Sequence, residues 1–151
     1  MERPPSSVLT CCTSNALRSP MAEGILKYLY GHVIYVDSTG VRAGALDGFA
    51  VAVMDEIGID ISNHRPKTFD DLEDTSFDLI ISLSPEAQHG AVEMTRTMAT
   101  EVVFWNTFDP SLIEGNREVR LAAYREVRDH LWARLAATFE DSGVAPLVPS
   151  F

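Results

Sequence analysis

Apolar and polar positions along the chain switch repeatedly between a strand-like and a helix-like period. SVLTCC, 7–12, is a short apolar run closed by polar residues, the pattern of a strand buried at least in part. SPMAEGILKYLY, 19–30, places Met21, Ile25, Leu26 and Leu29 at helical spacing, with Ser19 as its cap and Pro20 in the first turn. VIYVDS, 33–38, is β-branched and aromatic and predicts a second strand. Residues 47–58 return to the helical period and end at Gly58. FDLIISL, 77–83, is the strongest buried-strand pattern, a helix follows from Pro85, and EVVFW, 101–105, predicts the last strand. From Asn116 to about Phe139 one long helix is predicted, with Val119, Ala123, Val127, Leu131 and Leu135 as its apolar stripe. GIDISNHRPKTFDDL and NTFDPSLIEG read as loops, and the tail from about 142 as a loose end.

Strands alternating with helices imply parallel pairing through right-handed crossovers. The expectation is an α/β fold, a four-stranded parallel sheet with helices on both faces, formed by 1–151 as one domain. Ligands of such sheets bind outside the carboxyl ends of the strands. Cys12 ends the first strand, so CCTSNALRSP falls where a site belongs.

Composition narrows the function classes. Hydrophobic residues make up 46% and charged residues 23% of the 151, the globular range. The two cysteines are neighbours, so a bridge between them would be strained, and both read as thiols in a reducing compartment. MERPPSSVLTCC lacks the apolar stretch of a signal peptide and no run suits a membrane span, so a cytoplasmic location is expected. The formal net charge of −10 argues against a nucleic-acid binder. A local pocket of N–H groups and arginine can still bind an anion. No GxxxxGK loop is present, and His32, His64, His89 and His130 show no metal-ligand spacing with cysteine, so neither metal nor cofactor is expected. A monomer or weak dimer is expected.

Five residues, Thr13, Ser14, Asn15, Ala16 and Leu17, separate Cys12 from Arg18. Wrapped between strand and helix, their N–H groups form a concave nest for an oxyanion. The positive end of the following helix points the same way, and both effects favour thiolate over thiol. Arg18 can close the cradle with a bidentate contact. The same spacing also fits two small core cysteines and a solvated arginine.

CTSNALRSP resembles the phosphate loop of the low-molecular-weight protein tyrosine phosphatases, Cys-x5-Arg-Ser-Pro, with Asn15 also matching. VDSTG resembles the segment with a loop-supporting serine, here Ser38, and GIDISNHRPKTF the stretch with a buried histidine, here His64. FDLIISLS resembles the third strand, and FDPS the Asp-Pro motif of the general acid, here Asp109. The resemblance runs from about Val8 to Leu135 and implies a phosphatase I-like three-layer sandwich. It implies a phosphocysteine on Cys12, proton transfer by Asp109, and oxyanion binding by Arg18 with residues 13–19. It also implies Asn15, Ser19, Ser38 and His64 as loop supports. The partners it implies are phosphate or another oxyanion and a phosphorylated protein substrate.

Three departures bear on the substrate. Leu17 stands where the family often has a second loop cysteine, and Cys11 is expected in the core on the opposite side of the strand. Ser111 and Leu112 stand where tyrosines usually flank the substrate ring, leaving Phe49, Phe108 or Trp105 to supply an aromatic wall. SLSPEAQHGAV lacks the cysteines that thioredoxin-coupled arsenate reductases of this scaffold use. The expected activity is hydrolysis of tyrosine or other aryl phosphate esters. The alternatives are arsenate reduction with an external small thiol, and a non-catalytic module binding an oxyanion or phosphorylated ligand.

Overall fold

The computed structural model describes residues 4–140 and residue 146. Strands and helices alternate as β1 Ser7–Cys12, α1 Arg18–Tyr30, β2 Tyr35–Gly40, α2 Gly48–Asp55, β3 Leu79–Ser82, α3 Pro85–Met94, β4 Glu101–Phe104 and α4 Arg117–Glu140. Short 3-10 turns cover Phe69–Asp71 and Pro110–Leu112. All strands pair in parallel, in the order β2-β1-β3-β4. The loose tail expected from about 142 lies almost entirely outside the described residues.

Alternation along β1 divides the core. Val8 and Cys12 face the larger cluster with Met21 and Leu26 of α1, Val53 of α2 and Leu131 of α4. Leu9 and Cys11 face a smaller cluster with Ile80, Ala87 and Ala91 beneath α3. Helices therefore cover both faces, and each buried aliphatic side chain stabilises the fold by roughly 1.5–3 kcal/mol. Cys11 is a core residue, as expected, and burial pushes its thiol pKa well above the ordinary range.

The boundaries differ from the sequence reading in instructive ways. β2 starts at Tyr35, not residue 33, because Val33 and Ile34 N–H groups still bond to Tyr30 O. It then runs to Gly40, so its end carries buried Ser38 and Thr39. β3 is shorter than 77–83, with Phe77 and Leu83 buried just beyond its ends. The strict four-residue stripe assigned to α4 is wrong at its start: Val119 is exposed. Four residues overshoot a helical turn, so such a row drifts off one face. The buried set follows mixed three- and four-residue steps, Leu121, Tyr124, Val127, Leu131, Leu135 and Phe139.

α2 is shorter than 47–58 and begins with Asp47 as its cap. Asp47 accepts N–H bonds from Phe49 at 2.8 Å and Ala50 at 3.3 Å. Its other oxygen accepts the hydroxyl of buried Tyr124 at 2.7 Å, joining α2 to α4. Replacing Asp47 by alanine removes the cap and leaves that hydroxyl unpaired. The expected loss is about 2–3 kcal/mol of unfolding free energy by urea titration. A loss near 0.5 kcal/mol would mean that solvent replaces both functions. Among the described residues, no helix is long and apolar enough to cross a membrane.

Candidate active site

The segment after β1 turns sharply because its carbonyls are held from one side. Thr13 O accepts from Arg42 N, Ser14 O from Gly44 N and Ala16 O from Asp47 N, all at 2.8–3.0 Å. Asn15 O lies 3.1 Å from His64 Nε2. A trans peptide points its N–H opposite to its C=O, so the N–H groups of Ser14 to Leu17 turn to the other side. That side is a cavity of about 470 Å³ lined by Cys12, Thr13, Ser14, Ala16, Leu17 and Arg18 from the loop. Such an arrangement of N–H groups has the geometry of a concave nest.

Two positions explain why the turn closes. Asn15 adopts φ 49°, a left-handed conformation that asparagine tolerates better than most residues. Gly40 lets the loop approach β2, since a Cβ there would sit 2.7 Å from Asn15 N.

Asn15 and Ser19, grouped with substrate contacts from the sequence, are fully buried and do not line the cavity. They support it from behind. Asn15 Nδ2 donates to Ser19 Oγ at 2.9 Å and to Ser38 Oγ at 3.0 Å, while its Oδ1 accepts from Lys67 N at 2.9 Å. Ser19 is not the cap of α1: the helix starts at Arg18, and Leu17 at the cap position supplies no side-chain bond. Ser19 Oγ instead sits 3.0 Å from Cys12 Sγ, and Ser19 N donates to the same sulfur at 3.4 Å. The Ser19 N–H, the Ser19 hydroxyl and a helix N-terminus thus converge on Cys12, which is 2% exposed.

Ser38 and His64 both contact Asn15. His64 Nε2 is 3.0 Å from Asn15 Oδ1, and its Nδ1 is 3.6 Å from Glu23 Oε1. Burial pulls the His64 pKa below its ordinary value, against the opposing pull of Glu23. Glu23 itself escaped the sequence reading. It is buried, accepts the Ser38 hydroxyl and pairs with Lys27. The available signal was an acidic residue one helical turn after Ser19, on the face of α1 that turns inward.

Arg18 joins the loop to the opposite wall. Its Nη1 donates to Thr107 O at 2.9 Å and its Nη2 to Thr13 Oγ1 at 3.4 Å. Two residues beyond Thr107, Asp109 lines the same cavity. Asp109 Oδ1 accepts from Ser111 N at 3.0 Å and from Ser111 Oγ at 2.6 Å. Ser111 therefore orients the Asp109 carboxylate.

The remaining lining is Arg42, Gly44, Ala45, Asp47, Ser84, Pro85, Glu86 and Ser111, with no aromatic ring among the described residues. Phe49 packs on Tyr124 beneath Arg120, Trp105 lies under Arg134, and Phe108 is exposed away from the cavity. None supplies the aromatic wall. The Thr13 hydroxyl also meets α3, 2.9 Å from Ser84 Oγ and 3.0 Å from Glu86 Oε2. No group of three or more His, Cys, Asp or Glu among the described residues could hold a metal ion.

Residues 7–141 match the family model of the low molecular weight phosphotyrosine protein phosphatases. A relative named arsenate reductase, from Halalkalibacterium halodurans, is 38% identical over 133 residues, covering 87% of this chain and 93% of its own. Among solved structures, the low molecular weight protein tyrosine phosphatase of T. tengcongensis superposes with a TM-score of 0.72 at 28% identity, covering 89% of this chain and 98% of that one. An arsenate reductase in its phosphate-binding state matches with a TM-score of 0.70 at 28% identity, covering 89% and 97%. The fold, the loop and the span of the match agree: the chain belongs to the low molecular weight phosphotyrosine protein phosphatase family, and it is an enzyme of that family.

Proposed function

We propose that this protein is a cysteine-dependent phosphatase that hydrolyses phosphate monoesters, aryl esters included, through a phosphocysteine. One observation carries the reading. A single cavity holds a nucleophile, an oxyanion cradle and a carboxylate, while the chain's other thiol is buried on the far face of the sheet.

In the first step Cys12 Sγ attacks phosphorus in line and the bond to the ester oxygen breaks. Asp109 gives that oxygen its proton. The guanidinium of Arg18 and the N–H groups of Ser14 to Leu17 hold the three equatorial oxygens, whose charge the transition state redistributes. In the second step water attacks phosphorus, Asp109 takes the water proton, and the S–P bond breaks. Inorganic phosphate leaves, and the thiolate returns to the two donors of Ser19. Asn15, backed by Ser38, His64 and Glu23, keeps the loop in shape between steps. No metal or organic cofactor takes part. A reducing, cytoplasmic setting keeps Cys12 active.

A second reading is arsenate reduction, favoured by the name of the Halalkalibacterium halodurans relative. Cys12 would form an S–As bond as water leaves arsenate. A small external thiol would then attack Sγ, the S–As bond would pass its electron pair to arsenic, and arsenite would depart. A second thiol would reduce the mixed disulfide. The chain has two cysteines and Cys11 is fully buried, so those thiols must come from outside. Phosphate release from an aryl phosphate, measured beside arsenate-dependent oxidation of a small thiol, separates the readings. Fast ester turnover is expected. Thiol oxidation without ester turnover would replace the first reading with the second.

A further inference from the structure

Side-chain charges around the cavity do not add up to a general anion attractor. Arg18 and Arg42 are set against Asp47, Glu86 and Asp109. Asp47 is committed to the α2 cap and the Tyr124 hydroxyl. Asp109 is oriented by Ser111 and serves the proton transfer proposed above. Glu86 has neither task. It stands exposed in the first turn of α3, and Thr13 Oγ1 donates to its Oε2 at 3.0 Å. Thr13 also receives Arg18, so this carboxylate is held two hydrogen bonds from the guanidinium that binds the phosphoryl group. Its own backbone N–H, then Thr13, then Arg18 and Arg42 keep the Glu86 pKa below its ordinary value, so it is charged throughout the neutral range.

A fixed carboxylate beside an oxyanion cradle acts oppositely on two kinds of substrate. It repels an ester that carries a second anionic group near the phosphoryl, and attracts one that carries a cation there. Among the described residues the lining offers no ring that would reward a bare phenyl group instead. We infer that Glu86 is a specificity residue. It selects substrates with an ammonium or guanidinium beside the phosphoryl group, such as a phosphorylated segment with a neighbouring lysine or arginine. The inference rests on the reading of this cavity as the oxyanion site, not on which reaction follows.

The test uses binding, so that it does not depend on turnover. Two esters, 4-(aminomethyl)phenyl phosphate and 4-carboxyphenyl phosphate, are titrated calorimetrically into Cys12→Ser and into Cys12→Ser with Glu86→Gln. Glutamine keeps an acceptor for Thr13 and removes only the charge. The expected preference for the cationic ester is roughly tenfold in Kd at low salt, shrinking as salt rises and falling severalfold in the glutamine protein. Equal affinity for the two esters, an unchanged preference in the glutamine protein, or no binding of either ester overturns the proposal. Turnover of the same esters by the unmodified enzyme tests the phosphatase reading separately.

Discussion

Cys12→Ser abolishes hydrolysis of an aryl phosphate, with an expected loss on the order of 10⁴-fold or more, while inorganic phosphate still binds. The size follows from the nucleophile. A thiol is far more acidic than a serine hydroxyl, and its anion is the stronger nucleophile, so the variant lacks the group that attacks phosphorus. Binding survives because the cradle does not depend on sulfur. Its N–H groups are set by carbonyl bonds to Arg42, Gly44 and Asp47, and Arg18 is anchored on Thr107. Steady-state kinetics and a phosphate titration on the same preparation read both quantities. Strong residual turnover would remove Cys12 as the nucleophile. Turnover and binding lost together would mean that the sulfur contacts with Ser19 hold the loop itself. If the unmodified protein binds phosphate but processes neither aryl phosphate nor arsenate, a binding module replaces both enzymatic readings.

The element order was legible in the sequence because each element has one dominant period and a clear stop. SVLTCC could form a central strand only if its apolar side chains reached two cores, and they do. Cys12 and Arg18 were legible for a local reason, being joined by a loop too short to separate them. Of the residues behind the loop, Asn15, Ser19, Ser38 and His64 were named through the resemblance, and Glu23 was missed, since its place one helical turn after Ser19 does not by itself make it buried. It becomes so because β2 delivers Ser38 and the loop after α2 delivers His64 to the same point. Ser19 shows the opposite error. A serine before proline reads as a helix cap, yet its hydroxyl meets sulfur and asparagine, because the helix begins earlier, at Arg18, and Met21 N, which a cap at Ser19 would satisfy, already donates to Leu17 O. Asp47 fits its capping role by local rule, but its bond to Tyr124 spans 77 residues and has no local trace. Glu86 was likewise invisible, since its meaning depends on α3 starting beside Thr13.

Asp109→Asn slows esters with poor leaving groups by roughly 10²–10⁴-fold and leaves esters with good leaving groups much less affected in the first step. The contrast arises because only a basic departing oxygen needs a proton in the transition state. Asparagine isolates that function well here. Its side-chain oxygen can still accept from Ser111 N and Oγ, so the turn Pro110–Leu112 and the wall it forms are kept. Arg18 stays tied to Thr107, and the cradle keeps its shape. A series of aryl phosphates graded in phenol acidity, assayed for kcat/KM, shows the effect as a steeper dependence on leaving-group pKa in the variant. Burst kinetics with the most acidic phenol add a second reading. In the proposed mechanism Asp109 is also the base for hydrolysis of the phosphocysteine, so the variant is expected to accumulate that intermediate even where its formation is fast. Equal slowing across the series, with no burst, would remove Asp109 from proton transfer and leave it a structural turn residue.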